Sequence, residues 1–249
     1  MIRLIQDDPR SGSMNMSVDQ VLLDQAAGEQ VATLRFYRWL PATLSLGYFQ
    51  DIDSRQTHAA SVDCACVRRA SGGGAIMHDH ELTYSIALPS SSPWAKRNQD
   101  LFSLVHQVII DCLQEMGVDG CRVFTQAEKD AMPDLPKPFL CFQRRSPGDV
   151  VLDGEKVIGS AQRRQKEALL QHGSILMQRS SFAPELPGIC DLRPDADCSV
   201  SLLATKLPSR LGQTLELDIC PQSLSKKTLE SAELIRAKKF DSDSWNHKR

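Results

Sequence analysis

The sequence predicts an α+β fold, a mixed β-sheet packed with helices, built as one domain over residues 1–249 with a short helical tail from about residue 222. Three observations carry this. One segment, Leu101 to Met116, holds an unbroken i, i+3, i+4, i+7 apolar stripe. Several shorter segments alternate with period two or are dense in strand formers. The chain has 249 residues and is 41% hydrophobic, enough for one substantial core.

Taken in order, Ser17-Val18-Asp19-Gln20 fits a capping box. Val18, Val21, Leu22 and Ala26 then recur at helical spacing, with Gly28 as the stop, so a short amphipathic helix is expected. Leu34 to Trp39 is rich in strand formers and ends at Pro41, and Leu44 to Phe49 reads as a second strand. A third, Asp63 to Arg69, runs into Ser71-Gly72-Gly73-Gly74. From Glu81 the alternation is clear: Leu82, Tyr84, Ile86 and Leu88 face one way, Thr83, Ser85 and Ala87 the other. The glycines therefore join two strands. With neither a following lysine nor G-x-G-x-x-G spacing, they do not form a phosphate loop. Flanked by Arg68, Arg69, His78 and Asp79, they read as a ligand-facing loop.

The stripe from Leu101 closes at Gly117, and His106 lies off it, where solvent is expected. Ala127 to Pro138, with Pro133, Pro136 and Pro138, reads as a loop. Val150 to Leu152, then Asp153-Gly154, then Lys156 reads as a hairpin, because a type I′ turn needs two residues that accept positive φ. Ala168 to Met177 is strand-like but interrupted by Gln171-His172-Gly173-Ser174, a polar quartet that needs partners if buried. Ser180 to Ala204 reads as irregular. Ser225 to Phe240 reads as a charged, weakly amphipathic helix whose lysines, Lys239 among them, are solvated.

A net charge of -2 gives no support for nucleic-acid or membrane-surface binding. No apolar run approaches the ~20 residues of a membrane span. MIRLIQDDPR lacks a signal-peptide apolar region, so a cytoplasmic protein is expected. Eight cysteines in a chain of this size, without an export signal, read as reduced thiols. Their spacings make no zinc site, and no metal is expected.

One of those thiols has informative neighbours. Cys141-Phe142 precedes the hairpin, and Lys156 emerges just past its turn, fifteen residues later. Beyond it Gly159, Ser160 and Ala161 are too small to fill space, which suits a strand that a ligand or backbone approaches.

Several segments together resemble the lipoate–protein ligase, octanoyltransferase and biotin–protein ligase superfamily. They are NMSVDQVLL, LRFYRWLPATLSLGYFQ, RRASGGGAIMHD, GEKVIGSAQRR and LLQHGSIL, in that order and over roughly three quarters of the chain. The resemblance implies a biotin/lipoate ligase-like catalytic domain, with a mixed sheet around an acyl-binding cleft. RRASGGGA would supply the cleft floor, bringing Arg69, Ser71, Gly72, Gly73 and Gly74 to the substrate. The lysine of GEKVIGSAQ would face the acyl carbonyl, beside Gly159, Ser160 and Ala161. His78 would orient the carbonyl or the incoming amine. His172 and Gly173, from LLQHGSIL, would complete the binding set, although a lone strand histidine also reads as a satisfied core group.

Three branches separate within that superfamily. Lipoate ligases activate a free acid with ATP, and generally carry Asn-Asp before the hairpin and a C-terminal accessory domain. Here the pair is Gly148-Asp149, and only a short tail follows Ser225. Short octanoyltransferases place their cysteine late in the chain. The cysteine-dependent octanoyltransferases first described in bacilli have Cys-Phe before the hairpin, a lysine on it and a similar C-terminus. Cys141, Phe142, Lys156 and KKFDSDSWNHKR resemble that branch, while Arg144 to Pro147 is more basic than its pattern.

That branch implies catalysis by Cys141 and Lys156. Cys141 would take octanoyl from octanoyl-acyl carrier protein, then pass it to a lysine of a lipoyl domain such as glycine-cleavage H protein or a 2-oxoacid dehydrogenase E2. A thiol reacts as the thiolate, and a nearby ammonium favours that form by Coulomb attraction. No cofactor is then required. Burying about seven methylene or methyl groups at ~0.8 kcal/mol each offers ~5 kcal/mol of chain recognition. The competing readings are an ATP- and Mg-dependent lipoate or octanoate ligase, an amidotransferase between lipoyl domains, and a non-catalytic acyl-binding relative. An intact Cys141, Lys156 and glycine loop argue against the last.

Overall fold

The computed structural model describes residues 1–133 and 137–248. In chain order the elements begin β1 (Ile2–Gln6), α1 (Gly12–Glu29), β2 (Thr33–Tyr37), β3 (Thr43–Leu46), β4 (Ala65–Arg68), β5 (Ile76–His78), β6 (Glu81–Pro89), α2 (Pro93–Lys96) and α3 (Asn98–Glu115). They continue with β7 (Arg122–Val123), α4 (Gln126–Asp130), β8 (Val150–Leu152), β9 (Glu155–Gln165), β10 (Ala168–Leu176), α5 (Ile189–Leu192), α6 (Val200–Leu215), β11 (Ile219–Pro221), α7 (Lys226–Ile235) and α8 (Asp243–Asn246).

Two mixed sheets form. The larger runs β11-β1-β2-β6-β10-β9-β8-β7, with β1 parallel to both neighbours and the remaining pairs antiparallel. The smaller runs β4-β3-β5, with β3 parallel to β4 and antiparallel to β5. The alternation in β6 sorts its faces. Leu82, Tyr84, Ile86 and Leu88 enter the main core with Leu101, Val105, Ile109 and Leu113 of α3. On the opposite face Ala87 packs with Val18 and Leu22 of α1. Thr83 and Ser85 point the same way and are buried but polar, which leaves one face of the large sheet lined with hydrogen-bonding groups.

Helix α1 departs from the expected short amphipathic element. Ser11 is its cap, accepting from the Met14 amide, and Ser17 sits mid-helix, donating to the Ser13 carbonyl. Gly28 lies inside the helix, and Gln30, at φ 57, ends it. The pattern was hidden because the buried side of α1 is itself polar. Asp19 accepts from Arg35 at 2.8 Å, from Tyr37 at 2.8 Å and from Ser85 at 2.9 Å. Such a buried charge is held by its partners rather than by hydrophobicity.

Three further differences follow from packing. A short strand, β5, intervenes between the glycine loop and β6. The stretch read as irregular after Ser180 contains α5 and the start of α6. In α6 Leu203, Leu207, Leu211 and Leu215 recur every fourth residue and are buried despite the internal Pro208. Of the segment read as a proline loop, the first residues form α4, Pro133 and Pro138 are irregular, and Pro136 lies outside the described residues.

The C-terminal helix forms as expected but ends in a π-turn, Arg236–Phe240. Lys239 is half-buried rather than fully solvated. Its Nζ donates to Gln20 at 3.2 Å and lies 4.3 Å over Trp245, and burial pushes its ammonium down to about 8. Trp245 and Asn246 fix the tail to β4 by bonds to the Arg68 carbonyl and amide. All eight cysteines are free thiols. Among the described residues, no helix is long and apolar enough to cross a membrane.

Candidate active site

A cavity of about 550 Å³, its mouth included, opens between the polar face of the large sheet and the small sheet. Met16, Trp39, Ile76 and Phe142 supply apolar wall, as an acyl chain requires. Eleven of the thirteen residues singled out from the sequence line it: Arg69, Gly72, Gly73, His78, Cys141, Lys156, Gly159, Ser160, Ala161, His172 and Gly173. Ser71 and Gly74 stand behind the wall. Ser71 Oγ is 2.6 Å from His172 Nε2, and the Gly74 carbonyl accepts from Arg69 at 2.7 Å.

Cys141 opens a single 3-10 turn, Cys141–Gln143. Its amide donates to the Ala75 carbonyl at 2.6 Å, which ties the turn to the glycine loop. The flanking Leu140 and Phe142 are buried against Leu44, Leu46 and Met77. Apolar neighbours and a backbone bond thus fix the sulfur's position. The hairpin delivers Lys156 as expected, with Asp153 at φ 51 and Gly154 at φ 84. Lys156 Nζ lies 3.8 Å from Cys141 Sγ and 2.8 Å from Asp149 Oδ2. Both members of the Lys156–Asp149 pair are buried. Burial pushes the Asp149 carboxyl up, and Lys156 and the Ser146 amide oppose this only in part. Gly159 makes room for the lysine head, since a Cβ there would fall 2.5 Å from Lys156 Cε.

Arg69 does more than form a wall. Its guanidinium donates to the carbonyls of Ser45, Gly72 and Gly74, which holds the glycine loop in shape. Burial lowers it to about 10, so it stays charged at neutral pH. His78 stacks on Trp39 with ring centres 3.7 Å apart. Its Nδ1 donates to Glu81 Oε1 at 2.8 Å, and its Nε2 accepts from Ser45 at 2.8 Å. His172 is the satisfied histidine, bonded to Ser71.

His106 overturns the sequence reading. It is buried, not solvated. Nδ1 donates to the Gly148 carbonyl at 2.6 Å, leaving Nε2 to accept from Ser160 Oγ at 2.6 Å, and Tyr84 OH bonds the same Ser160 at 2.6 Å. Phe102 and Ile110, one turn to either side, were the signal that the buried face is wider than the stripe. Asp149, Ser45 and Glu81 were also missed as site residues. Ser45 meets His78 across the small sheet, Asp149 meets Lys156 across the hairpin, and Glu81 meets His78 at i, i+3 where the chain passes from one sheet to the other.

Burial pushes His106 and His172 from 6.5 down to about 4. The unfolded chain therefore takes up two protons between these values that the folded protein refuses. Stability should be full above about pH 6.5 and fall as pH drops towards 4, by about 3 kcal/mol per histidine. Urea unfolding at pH 7 and 4.5 measures this, and His106→Gln should flatten part of the slope. Equal midpoints at the two pH values would refute it.

A mixed sheet backed by helices, with a cysteine and a lysine meeting on the wall of a largely apolar cavity, is the arrangement expected of an acyl-group transferase on the biotin/lipoate ligase-like fold. Residues 11–218 match the lipoyl protein ligase A/B catalytic domain, and the chain belongs to that family. It is 32% identical to Octanoyltransferase LipM of Lysinibacillus sphaericus, over 96% of each chain. It is 31% identical to Octanoyltransferase LipM of Bacillus subtilis, over 99% of this chain and 98% of the other. Among solved structures, lipoate-protein ligase A bound with ATP superposes with a TM-score of 0.74 at 21% identity, covering 99% and 98% of the two chains. A bi-partite lipoate protein ligase from Thermoplasma acidophilum gives 0.70 at 21%, covering 99% and 96%. At that identity the structural likeness speaks for the fold alone.

Proposed function

We propose that this protein is an octanoyltransferase of lipoate biosynthesis, moving octanoyl from an acyl carrier protein through a Cys141 thioester to a lysine of a lipoyl domain. The observation that carries this reading is the placement of Cys141 Sγ on the wall of the apolar cavity with Lys156 Nζ at 3.8 Å. The full-length likeness to octanoyltransferases supports it. The Cys141 sulfur attacks the donor thioester carbonyl, and the carrier's pantetheine thiol leaves with a proton. The lysine amine of the acceptor then attacks the Cys141 thioester, and an amide forms as the Cys141 thiol is regenerated. Covalent catalysis of this kind divides one difficult step into two. Lys156 faces the sulfur, and the cavity shields the acyl chain from water.

Thioester exchange is nearly isoenergetic and thioester to amide is downhill, so this reading needs neither ATP nor metal. Acceptors of the glycine-cleavage H protein or dehydrogenase E2 type fit it. Purified protein with an apo lipoyl domain and octanoyl-acyl carrier protein should octanoylate the domain without ATP or Mg²⁺, while free octanoate or lipoate plus ATP stays inert. Robust modification from the free acid plus ATP, with the carrier-bound donor inert, would replace this reading by the ligase.

A further inference from the structure

The polar quartet of β10 must satisfy itself, and three of its members raise no question. Gln171 Oε1 accepts from Gln162 at 2.7 Å and its amide donates to Tyr84 at 3.1 Å, His172 meets Ser71, and Gly173 has no side chain. Ser174 is different. It is 2% exposed, yet its Oγ has no partner among the described residues. Keeping a hydroxyl dry and unbonded is costly, so such groups call for an explanation.

Strand geometry says where this hydroxyl points. Ser174 pairs directly with Gly159 on β9 and Thr83 on β6, and paired residues project from the same face. All three line the cavity. The space a Gly159 side chain would occupy is filled by the Lys156 head, 2.5 Å from Cε and 2.8 Å from Nζ. Ser174 therefore sits on the cavity wall beside Gly159, the position against which the Lys156 head packs. A second unpartnered buried atom belongs to the lining, Arg69 Nε. Arg69 Nη2 and Cys141 Sγ flank Gly73, 3.0 and 3.9 Å from where its Cβ would sit.

We infer that Ser174, together with Arg69 Nε, is the hydrogen-bond donor that holds the acyl carbonyl oxygen during transfer. As the Cys141 sulfur bonds to the carbonyl carbon, the π pair moves onto oxygen. That oxyanion accepts from Ser174 Oγ–H and Arg69 Nε–H. When the carbonyl re-forms, the pair returns and the carrier thiol leaves with its proton. The same donors serve when the acceptor amine attacks. Donors fixed before the reaction and lacking any other bond strengthen contact as charge develops, which is the condition for rate acceleration. The inference rests on the octanoyl-transfer reading.

The test is Ser174→Ala, with Ser174→Thr as the variant that keeps the hydroxyl. Acylation of Cys141 by octanoyl-acyl carrier protein is followed by quenched-flow mass spectrometry. Ser174→Ala should acylate about 100-fold more slowly at saturating donor, with little change in the donor's KM. Ser174→Thr should recover most of the rate. In the infrared spectrum of the acyl-enzyme carrying a ¹³C-labelled carbonyl, Ser174→Ala should move the carbonyl band to higher frequency. Because the hydroxyl has no structural partner, Ser174→Ala should melt about 2–4 °C higher, the opposite of what a structural serine would give. Wild-type acylation by Ser174→Ala, or an unmoved carbonyl band, overturns the inference. A wild-type protein that never acylates at Cys141 overturns the transfer reading itself, and this inference with it.

Discussion

Replacing Cys141 by Ala should cost at least ~10⁴ in octanoyl transfer while the protein keeps its fold. Removing the nucleophile leaves only binding and carbonyl polarisation, and these do not replace a covalent intermediate. The fold is spared because the turn is held by the Cys141 amide on the Ala75 carbonyl and by buried Leu140 and Phe142, not by the sulfur. None of the other seven thiols lines the cavity. Burial pushes Cys112 and Cys121 up to about 11 and Cys190 up to about 12, and raises Cys64 and Cys66. Intact-mass measurement after mixing with octanoyl-acyl carrier protein should show a single octanoyl group on the wild-type protein, mapped to Cys141, and none on Cys141→Ala. Transfer by Cys141→Ala at the wild-type rate would end the acyl-enzyme mechanism.

Lys156 should yield the second large effect, and its partner complicates the obvious variant. Lys156→Met removes the cation beside the sulfur, and Cys141 should then react with iodoacetamide and with donor about 10-fold more slowly at pH 7. It also leaves Asp149 buried without its ion pair, which typically costs about 3–5 kcal/mol unless the carboxyl takes up a proton. Adding Asp149→Asn removes that stranded charge. The double variant should regain most of the lost melting temperature while staying as slow as the single one. Recovery in stability without recovery in rate separates the two jobs of the lysine. If the double variant alkylates at the wild-type rate, Lys156 is a packing residue and does not activate the thiol.

The legible parts of this chain were those with a local signature. The Asp153-Gly154 turn, the core stripe of α3 and the alternation of β6 are written in short windows of sequence, while the pairing of Cys141 with Lys156 was legible through the resemblance to the superfamily. The less legible parts depend on partners distant in the chain. The buried polar side of α1 makes sense only once Arg35 and Tyr37 reach Asp19. His106 is buried because the carbonyl of Gly148, forty-two positions away, gives its ring a partner. Pro208 masked α6, whose leucines alone mark it as helix. Ser174 was visible as a polar intruder in a strand, but its lack of a partner can be read only in three dimensions.

The two faces of β6 and β10 also bear on how the chain reaches its native pairing. Residues that build the core and residues that build the cavity alternate along the same strands, Leu82 with Thr83 and Ile175 with Ser174. Sliding either strand by one residue would send Ser174 or Thr83 into the hydrocarbon interior and Ile175 or Leu82 into the cavity. Every side chain on the strand would be misplaced at once. The cavity-facing hydroxyls thereby act as a registration code for the sheet. A hydrophobic replacement such as Thr83→Val would blur the code by making both faces apolar, so misaligned strands and aggregation during refolding become a hazard beyond any loss of catalysis.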